Sequence, residues 1–256
     1  MPTGPRPQND SHSPEWRACG LEAELRAKIS KSLKSGALPK EMLDLLHEAF
    51  RKVMERDDEL FQKDTRSYLK VCAEIAEMFA GFGRFEDARR VLHRGEPMIA
   101  ALKTLSILSV DRKLFRDKVR YAVAFVTSTY YATQNYELAA DLLRGFIALV
   151  AGPNGLATPA HPRHGTTGLI AYHLGYAMLG LGRFSEAQRW FERALHENTQ
   201  KAIQIESQRA TEPDRFADDV TAVRVRAGLS MLGLARVEYE KGALKRALSF
   251  VHPARA

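Results

Sequence analysis

Residues 168–198 read GLIAYHLGYAMLGLGRFSEAQRWFERALHEN, and this stretch decides the fold. Leu174-Gly175 lies in a first apolar-periodic run, Gly182-Arg183 interrupts it, and Phe184, Ala187, Phe191 and Ala194 recur at helical spacing in a second run. Side chains three and four residues apart share a helix face, so the pattern predicts two antiparallel helices joined by a short turn. Gly175 and Ala187 carry little or no side chain, which lets the helices approach closely, while Leu174, Phe184 and Phe191 fill the volume around that contact. Gly182 suits the left-handed conformation that ends a helix, and Ser185 stands where it can help to start the next.

The same arrangement recurs three times. Residues 68–92, YLKVCAEIAEMFAGFGRFEDARRVL, repeat it with Ala76, Gly83, Phe85, Ala88 and Leu92, and their GRFEDA echoes the GRFSEA of the first stretch. Residues 122–143 carry Tyr130, Tyr136, Ala139 and Leu143, with Asn135 taking the turn as a residue tolerant of the left-handed region. Residues 232–251 carry Leu234-Ala235, Gly242, Leu244, Ala247 and Val251. The set resembles the tetratricopeptide repeat, whose signature is W-x2-L-G-x2-Y followed by A-x3-F and P. Ala171, Met178 and Thr199 stand where the Trp, Tyr and Pro would be. The resemblance implies an all-α fold, an α-solenoid of antiparallel helix pairs in which the first helix of each pair lines a concave groove.

The period is long. Gly83, Gln134, Gly182 and Gly242, taken as equivalent turn positions, are 51, 48 and 60 residues apart, against about 34 in the family. Longer than usual helices account for part of the excess, with Glu86 to about Leu108 and Lys113 to Thr133 read as extended helix. Insertion accounts for the rest: residues 151–167, AGPNGLATPAHPRHGTT, read as a surface loop, and 200–219 mix a polar helix with a break. Residues 1–15 are rich in Pro and polar residues and read as a flexible arm. Residues 16–66 read as capping or degenerate-repeat helices, one with a Leu21, Leu25, Ile29, Leu33 stripe and one over Met42 to Met54, and 67–256 as the repeat domain.

At 256 residues and 45% hydrophobic, the chain has enough apolar content for a sizeable core, and no window alternates as a strand does. A secretory or membrane-spanning segment is not indicated, and two cysteines are no disulfide framework, so a cytoplasmic setting is expected. No phosphate-cradling glycine loop, HExxH or GxSxG occurs, so an enzyme is not expected, nor a cofactor or metal. His161 and His164 read as solvated loop residues, Cys72 as buried, and His173 as a packing or groove residue.

Carried over from the family's inner-face spacing, the implied groove residues are Lys70, Ala73 and Glu77, then Tyr121, Ala124, Ser128 and Tyr131. The third pair offers Leu169, Tyr172, Tyr176 and Leu179, and the fourth Leu229, Leu232, Arg236 and Tyr239. Only Lys70 and Arg236 stand where some family members grip a peptide carboxylate. The tyrosines point instead to an apolar or extended peptide, or another helix, unless they are core. A net charge of +7 permits an acidic partner, and basic residues outnumber acidic ones from Arg84 to Arg120. A solvated face laced with pairs such as Glu86 with Arg89 and Arg90 is the other reading of that run, and specific nucleic-acid recognition is not expected. The function expected is a non-enzymatic scaffold or adaptor that binds a protein or peptide segment. A regulatory repeat domain of a larger regulator and a nucleic-acid-associated scaffold are the alternatives.

Overall fold

The computed structural model describes residues 14–35, 40–108, 112–151, 164–209 and 217–251, and among them every regular element is a helix. The chain gathers into two compact units, Met1–Gly95 with Asp111–Asn135, and Glu96–Val110 with Tyr136–Ala256.

The first unit contains α1 (Pro14–Ala18), α2 (Ala23–Lys34), α3 (Lys40–Met54), α4 (Asp57–Lys63), α5 (Thr65–Gly81) and α6 (Phe85–Leu92). After α7 (Gly95–Leu108), which lies almost wholly in the second unit, α8 (Arg112–Thr133) returns to the first. Helix α5 is its hub. Asp64 starts it by accepting the Ser67 backbone N–H at 3.1 Å, satisfying one of the donors a helix start leaves open. Its Tyr68, Val71, Cys72, Ile75, Ala76 and Phe79 are buried against α1, α3, α4, α6 and α8. Trp16 of α1 is fully buried there, and its indole N–H donates to Glu74 of α5 at 2.8 Å.

Lys118 of α8 fixes how α8 meets this hub. Its buried ammonium donates to the Phe61 and Gln62 carbonyls at 2.8 and 3.3 Å and to Thr65 Oγ1 at 2.8 Å, and it lies over the Phe61 ring. Those carbonyls belong to the last turn of α4, where a cation complements the partial negative charge of the helix end.

The second unit adds α9 (Tyr136–Ala151), α10 (His164–Gly180), α11 (Phe184–Arg209), α12 (Ala217–Glu240) and α13 (Leu244–Val251), each packed on its chain neighbour. Phe191 of α11 is fully buried between two glycines: a Cβ on Gly175 of α10 would fall 2.6 Å from its ring, and one on Gly233 of α12 2.5 Å. Seven residues before Gly175, a Cβ on Gly168 would fall 2.9 Å from the Asn198 amide, so the ends of the opening stretch also meet. Ala187 and Ala194 are buried in the same seam.

Three turns share one geometry. After α5, Gly83 N–H donates to Ala80 O and Arg84 N–H to Phe79 O; after α10, Gly182 to Leu179 and Arg183 to Met178; after α12, Gly242 to Tyr239 and Ala243 to Glu238. This paired pattern satisfies the carbonyls a helix end leaves open, and it places the glycine in the left-handed region, at φ of 70°, 70° and 79° respectively. Ala88, Ala187 and Ala247, each five residues past its glycine, are buried. Nothing lies within 4 Å of where a Cβ on Gly182 would be, so Gly182→Ala should lose about 1–2 kcal/mol through the backbone alone. Urea unfolding of the variant measures it, and no loss would contradict a left-handed residue there.

Several boundaries differ from the sequence reading. Helix does not continue from Glu86 to Leu108: α6 ends at Leu92 and α7 starts at Gly95, because Pro97 fits a first turn, where no N–H is needed, and not a helix interior. Gln134, at φ 51°, takes the left-handed position in place of Asn135. Pro14 and Glu15, read as part of the arm, open α1, which Gly20 closes by the same paired hydrogen bonds, to Arg17 and from Leu21 to Trp16. His164 opens α10, inside the segment read as loop; the rest of the arm and residues 152–163 lie outside the described residues.

Candidate partner-binding groove

Helices α5 and α8 of the first unit border a groove of about 380 Å³. From α5 it takes Arg66, Leu69, Lys70, Ala73, Glu74 and Glu77, and from α8 Tyr121, Ala124 and Phe125. On each helix these recur three and four residues apart, which is one face. Ala73 and Ala124 are the small residues of the two faces and leave the depression open, while the half-buried Tyr121 offers it apolar surface and the buried Phe125 completes its lining. Five of the residues implied from sequence, Lys70, Ala73, Glu77, Tyr121 and Ala124, thus come together. The sequence reading missed Arg66, Leu69, Glu74 and Phe125; extending the same stripe by one turn and by one neighbour finds all of them. The side chains of Ser128 and Tyr131 lie outside the described residues.

The charges on this groove are unevenly spent. Lys70, the residue placed for gripping a carboxylate, already holds Glu15 of α1 at 2.7 Å, and this pairing keeps the Glu15 carboxyl below its ordinary range, with Arg66 adding a smaller pull. Glu74 accepts from Arg26 at 2.7 Å as well as from Trp16. Glu77 has neither an ion pair nor a hydrogen bond among the described residues. Its carboxyl stands above the usual range, first because the surroundings desolvate it and second because Glu74 repels its charge.

In the second unit, Tyr172 and Tyr176 of α10 are half-buried, with ring centroids 5.0 Å apart, and both pack edge-on against Phe191, at 6.2 and 5.1 Å. They are therefore anchored in the packing yet keep part of their surface open. Leu169, Leu179 and Leu229 are also half-buried. On α12, Leu232 and Tyr239 are exposed, Tyr239 by 61%, and Arg236 pairs with Glu240 at 3.5 Å.

His173, beside Tyr172 in sequence, has its pKa pushed down to about 4, chiefly by burial and then by Arg226 of α12. The unfolded chain takes up this proton below pH 6.5 while the fold resists until about 4, so stability is full above 6.5 and falls as the pH drops through that window. Between pH 7.5 and 5 the loss from this group should be about 2 kcal/mol. His173→Gln should flatten the pH dependence of urea unfolding by that amount; an unchanged slope would contradict a neutral, desolvated His173.

Four cations of the basic run are already engaged. Arg84 and Arg90 pair with Asp87 at 2.9 and 3.2 Å, Arg94 pairs with Asp57, and Lys118 is committed to α4. Arg90, read from sequence as pairing with Glu86, pairs instead with the buried Asp87, which also holds Arg84. Cys72 is fully buried and its thiol is pushed up by desolvation, and Cys19 is pushed up to about 12 for the same reason. His161 and the side chain of His164 lie outside the described residues, among which no three His, Cys, Asp or Glu side chains are grouped to hold a metal. No described helix is long and apolar enough to cross a membrane.

These helix pairs, glycine turns and buried alanines make the chain an all-α protein of tetratricopeptide-like architecture. Neither a protein-family model nor a curated protein matches the sequence. Among solved structures it is similar to a putative kinesin light chain of Podosopora anserina with nearly identical TPR-like repeats, at 17% identity, with 94% of each chain covered and a TM-score of 0.47 for a point-substituted form. A second structure of that protein gives 17% identity, the same coverage and a TM-score of 0.45.

Proposed function

We propose that the chain is a non-enzymatic protein-interaction module that holds a segment of a partner protein in the groove between α5 and α8. The observation that carries this reading is the convergence of Ala73 and Ala124 with the Tyr121 and Phe125 rings in one open depression, rimmed by charge. Concave apolar surface with a few polar groups at its edge suits a docked peptide, Tyr121 giving contact area and the edge fixing orientation. The rival nucleic-acid reading has less to stand on, since Arg84, Arg90, Arg94 and Lys118 already have partners.

The test is a random octapeptide library displayed on phage and panned against the intact protein. Peptides are expected whose binding Ala124→Trp abolishes, since Ala124 is exposed and a large ring there fills the groove without entering the core. Helical circular dichroism of that variant should match the wild type. Failure to recover any peptide sensitive to Ala124→Trp would overturn the reading.

A further inference from the structure

The chemistry of the bound segment follows from how the groove's charges are balanced. At one end, Lys70 holds the carboxylate of Glu15 at 2.7 Å, and Arg66 exerts a smaller pull on it. At the other, Glu74 is neutralised by Arg26, and Glu77 faces only repulsion from it. Glu77 is therefore the carboxylate on this surface left without a counter-charge. An arriving ammonium or guanidinium relieves both the desolvation and the like-charge repulsion, whereas an arriving carboxylate adds to them. The net charge of +7 favours acidic partners at long range. At physiological salt, however, exposed charges more than about 8 Å away are largely screened, and the local carboxylate decides what docks.

We propose that the α5–α8 groove selects a segment that sets an apolar side chain on the Ala73–Ala124 floor and a lysine or arginine against Glu77. The proposal rests on the groove being a binding site. Its geometry also gives a spacing. Ala73 and Glu77 are four residues apart on α5, a rise of about 6 Å at ~1.5 Å per residue. An extended segment running along the helix advances about 6.6 Å between side chains on the same side, two residues apart. The motif expected is thus an apolar residue and a basic residue separated by one position, in either chain direction.

The experiment uses the octapeptides whose binding to the intact protein depends on an open groove, as judged by Ala124→Trp. Such peptides should carry Lys or Arg two positions from an apolar residue. Glu77→Gln should weaken them at least tenfold, and panning against Glu77→Lys should select Asp or Glu at the basic position. Glu77 is exposed, so neither substitution disturbs the core, and unchanged helical circular dichroism checks this. Raising NaCl from about 50 to about 500 mM should weaken binding to the wild type far more than to Glu77→Gln. Groove-dependent peptides with acidic or uncharged residues at that position, or equal affinity for Glu77→Gln, would overturn the proposal while leaving the groove intact as a site. An absence of any groove-dependent peptide would overturn both.

Discussion

Phe191→Ala is expected to cost the second unit about 3–5 kcal/mol. The ring is fully buried and touches the helices before and after its own, with Gly175 of α10 and Gly233 of α12 close against it and Tyr172 and Tyr176 packed with it in T-shaped contacts. Removing it deletes a side chain common to three helices. The two glycines that make room for it have no side chains to move into the space, so relaxation is limited and a cavity remains. Urea unfolding followed by circular dichroism should show the loss. Amide exchange should place it in α10, α11 and α12, with little change in α5. A loss below about 1 kcal/mol would mean that Phe191 is not the element joining them.

The second large effect comes from the opposite change at the same place. A Cβ on Gly233 would lie 2.5 Å from the Phe191 ring, and the ring has little room to retreat because it is fully buried and Gly175 approaches it with a similarly short allowance of 2.6 Å. Gly233→Val should therefore cost about 1–3 kcal/mol or more by overpacking, although valine is an acceptable residue on a buried helix face. The strain should depend on the ring. In a Phe191→Leu background the same Gly233→Val change is expected to cost clearly less than in the wild type, a coupling a double-mutant cycle reads directly. Additive losses would show that Gly233 is not opened by Phe191.

Which of these features the sequence makes legible depends on whether the signal is local. The turns are: a glycine followed five residues later by alanine marks Gly83, Gly182 and Gly242, and local backbone chemistry dictates a left-handed residue there. Gly175 is legible as a close approach because its partner Phe191 lies in the same helix pair. Gly233 is not, since the ring it accommodates belongs to the preceding pair and no sequence spacing links them. The break between α6 and α7 escapes a reading by periodicity although Pro97 announces it, because the apolar pattern runs on past it. At the groove, the stripe on α5 is readable from helical spacing. That Glu15 occupies Lys70, while Glu77 stays unpaired, is not, since it depends on α1 folding back 55 residues in sequence to reach α5.

The central claim is that a partner segment lies between α5 and α8, and site-specific photo-crosslinking tests it most directly. A benzoylphenylalanine introduced at Arg66, an exposed residue of the groove's lining, borders the groove without filling its floor, whereas one at Arg89 stands on the exposed side of α6. Irradiation with a labelled, groove-dependent octapeptide should yield an adduct at Arg66 and none at Arg89, and Glu77→Gln should reduce it. Adducts of equal yield at both positions, or at Arg89 alone, would contradict a segment seated between α5 and α8.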